Sequence, residues 1–92
     1  MKEIIIEGAR IDSREELHKV FKEALELPDY YGGNLDALWD MLTGEIDLPV
    51  RIVWRDFNIT KENIGGYATK VSEIIIRASR AVENNIFYTL ED

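Results

Sequence analysis

The stretch from Lys2 to Pro28, KEIIIEGARIDSREELHKVFKEALELP, contains the signals that decide the fold. Three consecutive isoleucines near its start form the short apolar run expected of a strand buried on both faces, and Gly8 ends this strand. Ser13 and Glu16 then form a capping box, which predicts the first turn of a helix. Apolar residues follow at helical spacing until the proline, which cannot continue a helix.

The rest of the chain repeats this alternation of strand and helix patterns. Two more strands are predicted, over residues 50–54 and 86–90. A short helix, a polar connection with one helical turn and a long amphipathic helix are predicted over residues 34–43, 56–63 and 67–83. The order of elements predicts an α/β fold, in which a three-stranded parallel sheet with right-handed crossovers is covered by three to four helices.

The chain is short and contains no cysteine. Its 92 residues can build only one hydrophobic core, so residues 1–92 are expected to form a single domain. Without disulfides, stability must come from packing, and no oxidising compartment is required. The apolar run near Met1 is too short for a signal peptide or a membrane span, so we expect a cytoplasmic protein.

The negative charge of the protein is concentrated in one part of the chain. The formal net charge is −7, and the window from Glu23 to Val50 contains no Lys or Arg but seven acids: Glu23, Glu26, Asp29, Asp36, Asp40, Glu45 and Asp47. One interpretation is an acidic surface that only maintains solubility, and the other is a surface that attracts a basic protein. Because such a field repels nucleic acid and anionic membranes, neither is expected as a partner.

The residue types needed for catalysis are almost absent. His18 is the only histidine, and it has neither a cysteine nor an obvious serine beside it, so a structural role is expected. Asp36 and Asp40 are the one carboxylate pair at helical spacing, which leaves an acid–base pair or a divalent cation site as an alternative. Two carboxylates alone are a poor metal site, so we expect no enzyme activity, metal or cofactor.

The predicted second helix has an unusual surface. Asn34 is a favourable N-cap residue, Gly44 is expected to end the helix, and the buried stripe comprises Leu35, Leu38 and Leu42. Trp39 lies at the margin of this stripe, beside a polar sector formed by Thr43, Asp36 and Asp40. Two like charges four residues apart destabilise a helix by roughly 0.2 to 0.5 kcal/mol. Residues that lower local stability in this way tend to lie at functional sites. The other possibility is that this small cost is simply tolerated.

Two tyrosines precede this helix in a turn-forming segment. Tyr30 and Tyr31 are followed by two glycines rather than by strand or helix neighbours that would bury both rings. Tyrosine is a favoured anchor at protein interfaces, although one of the pair could belong to the core. The pattern favours a protein-binding surface formed by the loop and the helix together.

The stretch Leu27–Asp40, LPDYYGGNLDALWD, resembles the signature of the barstar family, as do Leu42–Gly44, Pro49 and Trp54–Phe57. The resemblance implies a parallel three-stranded sheet with helices. It also implies a tight intracellular inhibitor of a secreted, guanyl-specific ribonuclease of the barnase type, with the loop and second helix inserted into the nuclease active site. A monomer without cofactors is expected. Leu48–Pro49 aligns with a cis peptide bond of the family, and the sequence does not decide whether the bond is cis in this chain.

The resemblance also assigns roles to individual residues. Asp40 matches the aspartate that takes the place of a substrate phosphate, Asp36 matches a second contact aspartate, and Tyr30 matches a tyrosine that stacks on the nuclease histidine. The remaining partner-binding positions are predicted to be Tyr31, Gly32, Asn34, Leu35, Ala37, Trp39, Thr43, Gly44 and Glu45.

Three positions depart from the family pattern. Glu45 stands where the family has a tryptophan, and Met41 stands where it has a cysteine. Arg77 falls where the family supplies an interface glutamate, and Glu73 or Glu83 could compensate. These differences leave open an alternative, an adaptor or immunity module of the same fold that binds a different basic protein.

Overall fold

The computed structural model describes residues 1–92 and contains one parallel sheet of three strands. The strands are β1 (Lys2–Glu7), β2 (Val50–Arg55) and β3 (Ile86–Leu90), and they lie in the order β1–β2–β3. Four helices connect them: α1 (Arg14–Leu25), α2 (Leu35–Asp40), α3 (Phe57–Ile64) and α4 (Gly66–Ala81). Short turns follow β1 and α2, a 3₁₀ turn over Gly8–Arg10 and a π-helical turn over Met41–Glu45. The predicted fold class is confirmed.

The two faces of the sheet differ in burial. In β2, Val50, Ile52 and Trp54 are buried, whereas Arg51 and Arg55 are exposed. Strands that follow one another in chain order through right-handed crossovers receive their helices on the same side. The helices therefore cover one face. The opposite face has no helical layer, although Val53 between the two arginines is still buried at 8% exposure.

The exposed face of the sheet carries cross-strand ion pairs. Arg51 Nε lies 3.8 Å from Glu3 Oε2, and Arg55 pairs with Glu7 at 3.8 Å and with Glu91 at 3.6 Å. The expectation that β1 is buried on both faces was therefore wrong. Ile5 is only partly buried, because β1 is an edge strand of a sheet with a single helical layer.

Trp54 lies at the centre of the core. Its ring packs edge-on against Phe21 and Phe57, with centroids 5.4 and 4.9 Å apart, and its Nε1 donates to Thr60 Oγ1 at 3.2 Å. The Thr60 hydroxyl in turn donates to the Gly8 carbonyl oxygen at 2.9 Å. A Cβ at Gly8 would lie only 2.2 Å from the Arg55 carbonyl oxygen, so this close approach of two chain segments requires glycine.

Residues 56–63 depart from the sequence prediction of a polar connection with one helical turn. They contribute nearly all of α3, a helix of eight residues whose Thr60 is fully buried. The helix begins after Asp56, which has a left-handed backbone with φ 52° and makes no side-chain cap. Although aspartate is a favoured N-cap residue, Asp56 makes no cap bond here, and burial against the core stabilises the helix instead.

The local signals for α1 and α4 are confirmed. Ser13 Oγ accepts a hydrogen bond from the Glu16 amide at 3.0 Å, and α1 ends where Glu26 adopts a left-handed conformation, before the proline. The polar side of α4 is exposed at Lys70, Arg77 and Arg80. The Leu48–Pro49 peptide bond is cis. None of the helices combines the length and apolar character needed to cross a membrane.

Candidate functional site

The solvent-accessible part of residues 30–45 is here called the acidic face. It comprises the end of the loop between α1 and α2, the helix α2 and the π-helical turn. Asn34 caps α2 as predicted, since its Oδ1 accepts a hydrogen bond from the Ala37 amide at 2.8 Å. Gly33 has a positive φ of 65°, which lets the loop turn sharply into the helix.

The end of the second helix differs from the prediction. Gly44 was expected to end the helix after Thr43, but it lies within the π-helical turn, which continues to Glu45. The Ile46 amide donates to the Met41 carbonyl oxygen at 3.0 Å, a bond that spans five residues. The wider turn buries Met41 and Leu42 together and leaves Gly44 and Glu45 exposed. Turns of this kind occur frequently at functional sites.

The carboxylates of Asp36 and Asp40 are exposed, and neither forms an ion pair within the chain. Other acids of the same window are neutralised, because Glu26 pairs with Lys2, and Asp29 lies 3.7 Å from the Lys22 ammonium. The two helix carboxylates therefore face solvent with their negative charge uncompensated.

Glu45 and Asp47 extend this negative charge beyond the helix. Both are exposed and lack an ion-pair partner, and Glu45 accepts only a long hydrogen bond of 3.5 Å from the Tyr30 hydroxyl. No three acidic or histidine side chains are grouped closely enough to hold a metal ion. What the surface presents is fixed negative charge beside an aromatic ring.

The two tyrosines of the loop have different environments. Tyr30 is 70% exposed, whereas Tyr31 is half-buried and packs against the core. Trp39 is also partly buried at the edge of the core, as the helical wheel predicts. Tyr30 is therefore the free aromatic group of the acidic face.

The other predicted positions divide according to exposure. Gly32, Asn34, Gly44 and Glu45 are exposed, whereas Leu35, Ala37 and Thr43 are partly buried. Of the predicted apolar stripe, Leu38 and Leu42 are fully buried and Leu35 only partly. Every predicted partner-binding residue thus retains some exposure to solvent, and none is fully buried.

His18 is more closely connected to this surface than the sequence indicated. It is only 6% exposed, and its Nδ1 and Nε2 lie 2.7 and 2.6 Å from the hydroxyls of Tyr31 and Tyr67. The guanidinium of Arg14 lies 4.4 Å above the Tyr67 ring. A sequence signal for its burial existed, because His18 shares a helical stripe with Phe21 and Leu25, three and seven residues later.

Burial changes the acid–base behaviour of this cluster. Desolvation lowers the pKa of His18, although the neighbouring Glu15 carboxylate opposes the shift. Desolvation also raises the pKa of Tyr31 and of Tyr67. The folded protein therefore favours a neutral imidazole between two neutral phenols.

We expect the stability of the protein to decrease as the pH falls below about 6.5. In the unfolded chain His18 gains a proton near its ordinary pKa of 6.5, whereas the folded state resists protonation until the pH reaches the lowered pKa. Urea unfolding at several pH values between 7.5 and 5 measures how the free energy of unfolding changes with pH. The His18→Gln variant is the control and should lack the part of this change that comes from the imidazole. An equal pH dependence in the two proteins would contradict the expectation.

Comparison with known proteins agrees with this architecture. The family model described as Barstar (barnase inhibitor) matches residues 1–89. A protein of Bacillus subtilis (strain 168) named "Putative ribonuclease inhibitor YrdF" is 42% identical over 91 residues, which cover 99% of this chain and 100% of that relative. With its three-stranded parallel sheet, its one-sided helical layer and this match over nearly its whole length, the chain belongs to the barstar family.

Proposed function

We propose that this protein inhibits a basic ribonuclease of the barnase type by covering its active site with the acidic face. The observation that carries the proposal is the pair of exposed, unpaired carboxylates of Asp36 and Asp40 beside the free ring of Tyr30. A ribonuclease active site gathers cationic side chains to bind the phosphates of RNA. Its charge is therefore complementary to this surface.

Asp40 is the residue that replaces the substrate phosphate in this mechanism. A carboxylate can accept two parallel hydrogen bonds from one arginine, which is also the geometry with which arginine binds phosphate. Such bonds strengthen when water is excluded from the interface. Asp36 lies one helical turn earlier and contacts a second cation, so the two aspartates occupy the groove that normally holds the RNA backbone.

The remainder of the acidic face supplies contact area. Tyr30 stacks on the catalytic histidine of the nuclease, and Trp39 and Asn34 flank the two aspartates. Gly44 has no atom within 4 Å of the position that a Cβ would occupy, so its backbone is accessible to a closely approaching partner. Tyr31, Gly32, Leu35, Ala37, Thr43 and Glu45 complete the proposed contact set.

The proposed inhibitor works by occupancy and has no catalytic step of its own. It binds as a monomer, one copy to each nuclease, and needs neither metal nor cofactor. Its place is the cytoplasm, because there it protects the RNA of the cell that produces the secreted nuclease.

Titration of a barnase-type ribonuclease with the purified protein tests this function. We expect RNA cleavage to fall linearly to zero at one equivalent, with a Kd in the nanomolar range or below. The association rate should fall about tenfold or more between about 0.05 and 0.5 M salt, because opposite charges steer the encounter. A ribonuclease with an acidic surface is the control and should stay active. Full activity of the barnase-type enzyme at tenfold excess would overturn the proposal.

A second candidate function is supported by two surface residues. Glu45 and Arg77 are exposed. Glu45 stands where the family pattern has a neutral tryptophan, and Arg77 stands where it has a glutamate of opposite charge. The corresponding proposal is an adaptor or immunity module for a basic protein other than a ribonuclease. It would replace the first if such a protein bound the acidic face, lost binding in Asp40→Ala, and had no ribonuclease activity.

A further inference from the structure

The loop between α1 and α2, residues 26–34, has few attachments of its own. Within it, the Tyr31 amide donates to the Pro28 carbonyl oxygen at 3.0 Å, and the Leu27 amide donates to the Lys22 carbonyl oxygen of α1 at 2.9 Å. The ring of Tyr30 projects into solvent and contributes only a long hydrogen bond to Glu45. Backbone bonds therefore hold the start of the loop and the Asn34 cap holds its end, whereas residues 31–33 between them make no backbone hydrogen bond to another element.

His18 provides a side-chain attachment for this part of the loop. Its Nδ1 lies 2.7 Å from the Tyr31 hydroxyl. The opposite ring nitrogen, Nε2, lies 2.6 Å from the hydroxyl of Tyr67 on α4. The imidazole thus joins the loop to two helices that belong to the rigid core.

The two ring nitrogens of His18 have different hydrogen-bonding roles. A neutral imidazole has one N–H donor and one nitrogen acceptor, so one tyrosine hydroxyl accepts from the ring and the other donates to it. Both ring nitrogens are satisfied, and the chain contains no buried side-chain polar atom without a partner. Removing the imidazole would leave the Tyr31 hydroxyl without its partner in a half-buried position.

We propose that His18 is a positioning residue for ribonuclease binding: it holds Tyr31 so that the neighbouring Tyr30 and the start of α2 are presented in a binding-ready arrangement. The inference rests on the proposed function, since it concerns the same acidic face. A loop that is already ordered before binding loses little conformational freedom in the complex. Preorganisation therefore increases affinity without any contact between His18 and the partner.

Two conservative substitutions separate the two sides of the ring. The amide nitrogen of asparagine lies about where histidine has Nδ1, and that of glutamine about where histidine has Nε2. His18→Asn can therefore keep the bond to Tyr31 and lose the bond to Tyr67, whereas His18→Gln does the reverse. Because both variants lose one bond of the same ring, they are matched controls for general destabilisation.

The experiment measures amide hydrogen exchange at residues 30–34 of the free protein and the Kd for a barnase-type ribonuclease. For His18→Gln we expect faster exchange in the loop and a Kd raised about tenfold, mostly through a faster dissociation rate. For His18→Asn we expect exchange close to that of the parent and a Kd within about threefold of it. Equal Kd values and equal loop exchange in the two folded variants would overturn the proposal.

A second pair keeps the proposal testable if a histidine variant does not fold. Tyr31→Phe and Tyr67→Phe each remove one hydroxyl from the same imidazole, and only the first frees the loop. Faster loop exchange in Tyr31→Phe alone supports the proposal, and equal exchange in both variants overturns it. Exchange is measured without the nuclease, so a parent protein that fails to inhibit would count against the proposed function and not against the positioning role of His18.

Discussion

Asp40→Ala is expected to raise the Kd for a barnase-type ribonuclease by about two to three orders of magnitude while the protein stays folded. Removing one partner of a desolvated charge pair costs about 2 to 5 kcal/mol at protein interfaces, since the cations left behind lose their counter-charge. Asp40 is exposed and has no ion-pair partner in its own chain, so no ion pair of the free protein is lost with its charge. Inhibition kinetics over a range of protein concentrations give the Kd.

The matched control for this prediction is Asp12→Ala. Asp12 is also exposed and unpaired, but it lies before α1 and outside the acidic face. Both substitutions change the net charge by the same amount, so a long-range effect would act on both, whereas a direct contact acts only on Asp40. If the two variants inhibited equally, Asp40 would not be the phosphate substitute.

Asp40→Ala should leave the free protein as stable as before, or slightly more stable. Asp36 and Asp40 lie four residues apart on α2, where like charges repel by roughly 0.2 to 0.5 kcal/mol. Urea unfolding of the parent and of Asp40→Ala measures this difference. A gain in stability together with a loss of binding is the result expected of a residue retained for function.

The two tryptophans provide the second large prediction, because they differ in burial. Trp54→Ala should lower the free energy of unfolding by about 3 to 5 kcal/mol, since it removes the largest fully buried side chain and leaves a cavity in the core. It also leaves the Thr60 hydroxyl without its indole donor. A loss of this size is a large part of the 5 to 15 kcal/mol typical of a whole domain.

Trp39→Ala is the matched variant at the surface. Trp39 is only partly buried at the edge of the core, so its loss should cost less stability than that of Trp54. Its loss should nevertheless weaken ribonuclease binding by about tenfold or more, because large aromatic side chains often dominate interface energy. Urea unfolding and inhibition assays on both variants test whether Trp54 contributes mainly to stability and Trp39 mainly to binding. Equal losses of stability, or unchanged inhibition by Trp39→Ala, would contradict it.

Much of the fold and of the acidic face could be predicted because the signals are local. The cap at Ser13, the cap at Asn34 and the long amphipathic pattern of α4 each involve residues within a few turns of one another. The sequence predicted only one helical turn in the region of α3, because the contacts that stabilise this helix are not local. It begins at an uncapped residue with a left-handed backbone, and its support comes from Thr60 bonding to Gly8, 52 residues away in the chain.

The sequence by itself determined most of the strands and helices and the segment in which negative charge is concentrated, because periodicity and charge are properties of neighbouring residues. Only the tertiary structure decided that the helices cover one face of the sheet, that the second helix ends in a π-helical turn, and that Tyr30 rather than Tyr31 is free. These outcomes depend on contacts between distant residues, such as the bond between His18 and Tyr67, 49 positions apart. No local pattern contains the information that brings such residues together.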